Sequence, residues 1–346
     1  MQDTEKTARP PFPKIELHVH LEATVRPERL LEIARRNDFV LPAETPEGIR
    51  DLYRYRDFDH FIEVWILTTN ALQTEDDFRQ VVVDYAAEAA GHGAVYVEGI
   101  FSPIERTWRG VSWDALFSGY CDGAQEARER HGVEVLLTPD VTRGAAVEYG
   151  FELVRRAVAY RERGIVGIGL GGEEAHYPPE AFAGVFELAR AEGFGSVPHA
   201  GEVMGPASIR GALDELEADR IRHGIRAVED PDLIAELAEQ RVVLDVTPIS
   251  NLRTGVVKSL AEHPLPELVA AGIPCTVSTD DPEMFDTDLT REYDAALSLG
   301  LDPKALYDAA IEGALCGEES KDRLRRIGAE YDWVGLAAVG TGEGST

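Results

Sequence analysis

Pro13-Lys14-Ile15-Glu16-Leu17-His18-Val19-His20-Leu21-Glu22 is the stretch on which the reading of the fold turns. It is a short apolar run carrying two imidazoles two residues apart, and in a strand residues i and i+2 project to the same face. Both rings can therefore converge on one point, and neutral imidazole is the commonest protein metal ligand. A lone His-x-His is equally what a pair of solvated or core-satisfied histidines looks like. The rest of the chain has to decide between the two.

Outward from this stretch, β-rich apolar runs alternate with amphipathic helical patterns. The first strand is read over 14–19, and the next seven over 94–98, 133–138, 165–170, 195–199, 220–223, 242–246 and 273–278. Helical patterns at 27–36, 58–72 and 75–91 form an insertion after the first strand. Further helices are expected over 113–130, 145–163, 179–192, 208–216, 231–240 and 265–271, with two more filling 303–326. The glycines of Ile165-Val-Gly-Ile-Gly-Leu170 suggest that backbone closely approaches something there.

Eight strands alternating with helices argue for an α/β fold with a parallel sheet, and eight is the number that closes a (β/α)8 TIM-type barrel. A doubly wound open sheet is the structural alternative, because the fifth and sixth runs are short. No Pro-, Gly- or Ser-rich linker separates the strands, so residues 1–346 read as one barrel domain. Residues 1–11 and 340–346 are expected to fray.

The 346 residues carry a formal net charge of -29 and 44% hydrophobic residues. The core can be large, and nucleic acid or an anionic membrane would be repelled. The scattered arginines form no basic patch. Cys121, Cys275 and Cys316 are an odd set with no Cys-x-x-Cys, which fits a reducing, cytoplasmic compartment. No apolar leader or run of about 18 apolar residues stands out. A small-molecule partner is expected, and a homo-oligomer is compatible with this composition.

The polar residues fall in one place. His18 and His20 end the first strand, His199 in His199-Ala-Gly-Glu202 the fifth, His223 the sixth, and Asp280-Asp281 the eighth. The C-terminal ends of barrel strands are where active sites are built. His60, His92, His131, His176 and His263 lie in helical or loop stretches with no partner pattern. Taken singly, His199 and His223 read as ordinary strand-end residues and Asp280-Asp281-Pro282 as a turn with a helix cap. Taken together, three imidazoles and one carboxylate suit Zn²⁺ with an open position for water. Glu202 can carry a proton. His223 is then a further ligand or a base beside the water. Spacing alone reaches metal-assisted hydrolysis in a barrel.

Pro13-Lys-Ile-Glu-Leu-His-Val-His-Leu21, His199-Ala-Gly-Glu202, Arg222-His-Gly224, Pro248-Ile-Ser-Asn251 and Ser278-Thr-Asp-Asp-Pro282 resemble, in order, the motifs of the adenosine deaminase branch of the amidohydrolase superfamily. The resemblance implies hydrolytic deamination of a 6-aminopurine nucleoside to the 6-oxo product and ammonia. It implies one Zn²⁺ per chain on His18, His20, His199 and Asp280. Glu202 would protonate the purine N1, and His223 would orient and deprotonate the attacking water. Asp281 would meet N7, and Gly172 would offer its backbone N–H to N3. Binuclear relatives need a bridging lysine on the fourth strand, and 165–170 has none.

The sequence departs from the family pattern on the sugar side. Leu21-Glu22-Ala23-Thr24 stands where adenosine deaminases usually show Leu-Asp-Gly, and Gly169-Leu-Gly-Gly-Glu-Glu174 where they usually show Asp-Leu-Ala-Gly-Asp-Glu. The branch also deaminates adenine and 6-aminodeoxyfutalosine, a nucleoside of an alternative menaquinone pathway with a bulky 5′ aromatic group. Glu22 as a longer carboxylate would suit such a substrate as readily as adenosine; adenine is the further alternative. Phe61 and Trp65, on an aromatic helix near the first strand's exit, are expected to contact substrate or to be plain core. A different amidohydrolase reaction and a non-catalytic nucleoside-binding barrel are the remaining readings.

Overall fold

The computed structural model describes residues 11–334. The ends expected to fray lie outside the described residues, residue 11 excepted. Eight parallel strands run in sequence order around a barrel: β1 Lys14–His20, β2 Ala94–Phe101, β3 Glu134–Thr142, β4 Gly167–Gly171, β5 Gly195–Ala200, β6 Arg220–His223, β7 Val243–Val246 and β8 Cys275–Val277.

The seam decides between barrel and open sheet. His20 N donates to Asp280 O at 2.8 Å and Asp280 N to His18 O at 3.0 Å, a parallel bridge at Val19 that brings the end of β8 back onto β1. Leu17 N adds a bond to Ser278 Oγ at 3.1 Å. A doubly wound sheet has free edges where this one pairs, so the TIM-type barrel holds.

Several expected helices form with the predicted bounds, for identifiable reasons. Pro27–Arg36 opens on proline and ends on Arg35 and Arg36, matching the helix dipole. Glu75–Gly91 starts from a capping box between Thr74 and Asp77. Trp113–His131 stops at Gly132, whose φ of 70° is the left-handed cap glycine adopts most cheaply. The helix expected over 145–163 is shorter, Val147–Val158, because a 3-10 turn at Arg161–Arg163 follows and ends at Gly164. Helices Pro46–Leu52 and Leu289–Ser298 were not read in the sequence.

The barrel interior is polar as well as apolar. Arg220 pairs with Glu98 at 2.8 Å and with Asp245; Arg222 pairs with Asp140 at 2.6 Å and donates to Thr138 at 2.7 Å. Both arginines are fully buried, where a charge is tolerated only when paired and hydrogen-bonded. Here lies the reason for glycine on β4: a side chain at Gly169 would collide with Asp140 and Arg222. No helix among the described residues is long and apolar enough to cross a membrane.

Candidate active site

His18, His20, His199 and Asp280 converge at the C-terminal mouth of the barrel. His18 Nε2 lies 3.1 Å from His199 Nε2 and 3.2 Å from Asp280 Oδ1; His20 Nε2 lies 3.2 Å and 3.4 Å from the same two atoms. Donors on bonds of about 2.0–2.2 Å around a tetrahedral ion sit roughly 3.3–3.6 Å apart, so spacings of 3.1 to 3.4 Å are at or slightly inside those of a divalent ion of the zinc kind, which would fit with a small outward adjustment. Burial depresses His18 to about 3 and His20 to about 4, and His199 well below its ordinary value, so the three rings are neutral and able to ligate. Burial alone would raise Asp280; the surrounding imidazoles outweigh it and keep its carboxyl ionised.

The supporting contacts point the donors inward. His199 Nδ1–H donates to Leu170 O at 2.9 Å, which leaves the Nε2 lone pair facing the cluster. Ser250 Oγ donates to Asp280 Oδ2 at 2.6 Å, giving the Pro248-Ile-Ser-Asn251 segment a function. His223 and Asp280 both hold φ of 65°, a left-handed backbone that costs a non-glycine residue and concentrates at functional sites. The donor atoms also form a second grouping in which His223 joins His18, His199 and Asp280.

Glu202 and His223 face each other, His223 Nε2 lying 3.5 Å from Glu202 Oε2 and 3.9 Å from Asp280 Oδ2. Burial first, then the charges of Asp280 and Glu174, push Glu202 well above the usual carboxylate range, the direction a proton donor requires. Asp281 is raised likewise by burial and Asp280, and its Oδ1 accepts the indole N–H of Trp65 at 2.8 Å.

These groups lie along a cavity of about 350 Å³. Its floor holds the buried His199, Glu202, His223, Asp280 and Asp281, and its mouth the half-exposed Trp108, Tyr177 and Ile66. Phe61, Trp65 and Gly172 line it. Phe61 and Trp65 also pack with Ala23, Met284 and Phe285, so core and cavity wall are the same side chains. Gly172 has a φ of 99°, an orientation of the peptide open to glycine alone at little cost.

Glu22 is a correction. It was expected to face the sugar, but it is not among the residues lining the cavity; its carboxylate accepts from Ser102 N at 2.8 Å and lies 3.6 Å from Arg106. With a 3-10 turn following β1, the side chain turns behind the wall and braces Ser102, which does line the cavity.

Sequence reasoning missed Glu174. Its carboxylate accepts from the N–H groups of Gly201, Val203 and Met204 at 2.6, 2.8 and 3.0 Å and from Ser208 Oγ at 2.5 Å. It therefore grips the loop on both sides of Glu202. Arg143, also missed, donates to the carbonyls of His199, at 2.6 Å, and of Tyr177.

Compared with known proteins, the chain matches the adenosine deaminase family over residues 13–329. An aminodeoxyfutalosine deaminase from Acidothermus cellulolyticus is 54% identical over 334 residues, covering 94% of each protein. Among solved structures, an adenine deaminase from Arthrobacter aurescens superposes with a TM-score of 0.88 at 32% identity, over 92% of this chain and 98% of that one. An amidohydrolase from Burkholderia ambifaria, solved with bound Zn, gives a TM-score of 0.84 at 26% identity over 92% of this chain and 90% of that one.

Proposed function

From the premise that this chain belongs to the adenosine deaminase family, and is thus a hydrolase acting on a C–N bond, we propose that its substrate is a 6-aminopurine nucleoside of the aminodeoxyfutalosine kind. The observation that carries this choice is the cavity itself: at about 350 Å³ it is lined not only by the buried polar residues but also by Phe58, Ile62, Trp108 and Tyr177, more space and more apolar wall than a free purine would fill. The relative at 54% identity, named for that substrate, supports it. A role in menaquinone formation follows from the same reading.

His18, His20, His199 and Asp280 would hold one zinc-type ion, which when bound brings the pKa of a water to about 7. Glu202, protonated and buried, would hand its proton to N1, making C6 electrophilic. His223, with its Nε2 3.5 Å from Glu202 Oε2, would orient the attacking water. Asp281 and the Gly172 N–H would fix the purine at N7 and N3. A C6–O bond forms, the C6–N6 bond breaks, and the two hydrogens of water end on N1 and on the departing ammonia. Glu202 gives one proton and recovers one. The buried free thiols suit the reducing cytoplasm, where we place the enzyme, and the chain is read as one barrel domain.

Ammonia release from aminodeoxyfutalosine, adenosine, deoxyadenosine and adenine, measured side by side on the zinc-loaded protein, tests the proposal. The 5′-modified nucleoside should win in kcat/KM by on the order of 100-fold. Preference for adenine or adenosine would overturn it.

A further inference from the structure

His263 lies on the loop before helix Leu265–Ala270, is 4% exposed, and is absent from the cavity lining. Its hydrogen bonds nonetheless run into the site in one direction. Leu265 N–H donates to His263 Nδ1 at 3.1 Å. With Nδ1 accepting and the ring kept neutral by burial, which depresses it to about 4, the imidazole proton is on Nε2. That atom lies 3.2 Å from Asn251 Oδ1, which must accept. The other end of the amide, Nδ2, then donates to His223 Nδ1 at 3.4 Å. Thr247 Oγ1 lies 3.2 Å from the same nitrogen.

Resting on the reading that His223 acts at the reacting centre, we propose that His263, acting through Asn251, is a positioning residue that fixes the tautomer of His223 with its proton on Nε2. Each link is set by the one before it, starting from a backbone N–H that cannot reverse. The consequence is chemical. A protonated Nε2 has no lone pair, so His223 is excluded from the ligand set although it groups with His18, His199 and Asp280, and the four donors left are His18, His20, His199 and Asp280. Nor can Nε2 accept a proton at rest, so His223 donates a hydrogen bond toward the space beside Glu202 and Asp280. This suits orienting an oxygen rather than deprotonating it. The amide makes the device directional: a carboxylate in its place would accept from both rings and reverse the second one.

The test reads the tautomer directly. Metal-free protein labelled with ¹⁵N-histidine is observed by two-bond ¹H–¹⁵N correlation, and His223 is assigned by its loss in His223→Gln. The wild type should show His223 with protonated Nε2, and Asn251→Asp should move that proton to Nδ1. His263→Leu should disturb it and His263→Gln, which keeps a donor, should restore it. In steady-state assays Asn251→Asp should lose on the order of 100-fold in kcat with KM and zinc content little changed, as a wrong tautomer does. A wild-type proton on Nδ1, or an Asn251→Asp spectrum identical to wild type, would overturn the proposal. The spectra need no substrate, so they decide it even if the substrate assignment fails.

Discussion

Trp65 donates its indole N–H to Asp281 Oδ1 across 2.8 Å, tying helix Phe58–Thr69 to the residues that follow β8. Helix Phe58–Thr69 and the carboxyl proposed to meet the purine edge are thus held by one bond. Trp65→Phe keeps the ring packing and leaves a buried carboxyl without its donor. About 1–3 kcal/mol of substrate binding is at stake, so KM should rise on the order of tenfold with kcat less affected. Steady-state kinetics with an unchanged KM would detach this helix from substrate recognition.

Glu202→Gln preserves size and removes the transferable proton. Zinc content by elemental analysis should match wild type, while kcat should fall by roughly 100- to 10,000-fold. Comparable turnover in the variant would remove Glu202 from proton transfer.

His18→Ala removes one of the four converging donors, which are drawn from β1, β5 and the end of β8. The variant should retain little metal after dialysis. Chelator treatment of the wild type should lower its melting temperature, because an ion that binds only the folded state stabilises it by mass action. Equal melting curves with and without chelator would argue against an ion at this point.

Glu174→Gln exchanges a carboxylate that accepts four hydrogen bonds for an amide with one acceptor oxygen. Stability should drop by about 1–3 kcal/mol. Because the loop also carries Glu202, kcat should fall with it while zinc content stays near wild type. Denaturant melts and elemental analysis separate this from loss of the metal cluster.

Acid stability follows from His263. Unfolded, the imidazole takes up its proton near pH 6.5; folded, burial delays this to about pH 4. Between those values the unfolded chain binds more protons, so stability is lost as pH falls from 6.5 to 4, by up to about 3 kcal/mol from this group. Urea melts of metal-free His263→Gln should show a flatter decline over that window than wild type. An identical slope would show that the folded ring titrates normally.

What could be read in advance follows from where periodicity exists. His18 and His20 were legible because strand alternation fixes their common face, His199 and Asp280 because each follows an apolar run, and His223 because it ends a short strand just before Gly224. β6 came out with the expected bounds, whereas β3 extends to Thr142, past the turn-like Pro139, because its far end pairs with β4. His263 carries no such signal: it sits on a loop, its partners are 12 and 2 residues away, and in the sequence it is one of five histidines with no partner pattern. Glu174 stood inside a quoted motif, yet its grip on the loop around Glu202 depends on how two strand-to-helix loops meet in space. Glu22 was misplaced because a single turn of 3-10 geometry, invisible in composition, decides whether a carboxylate faces the cavity or the wall behind it.

The seam between residue 280 and residues 18 and 20 has a consequence for biosynthesis. A chain emerging from the ribosome exposes its first two imidazoles early, but the carboxylate of Asp280 is translated 262 positions after His18 and 260 after His20. With the ion held as proposed, metallation would be a late event, completed only when the last strand closes against the first, and a product ending before Asp280 would lack one of the four donors.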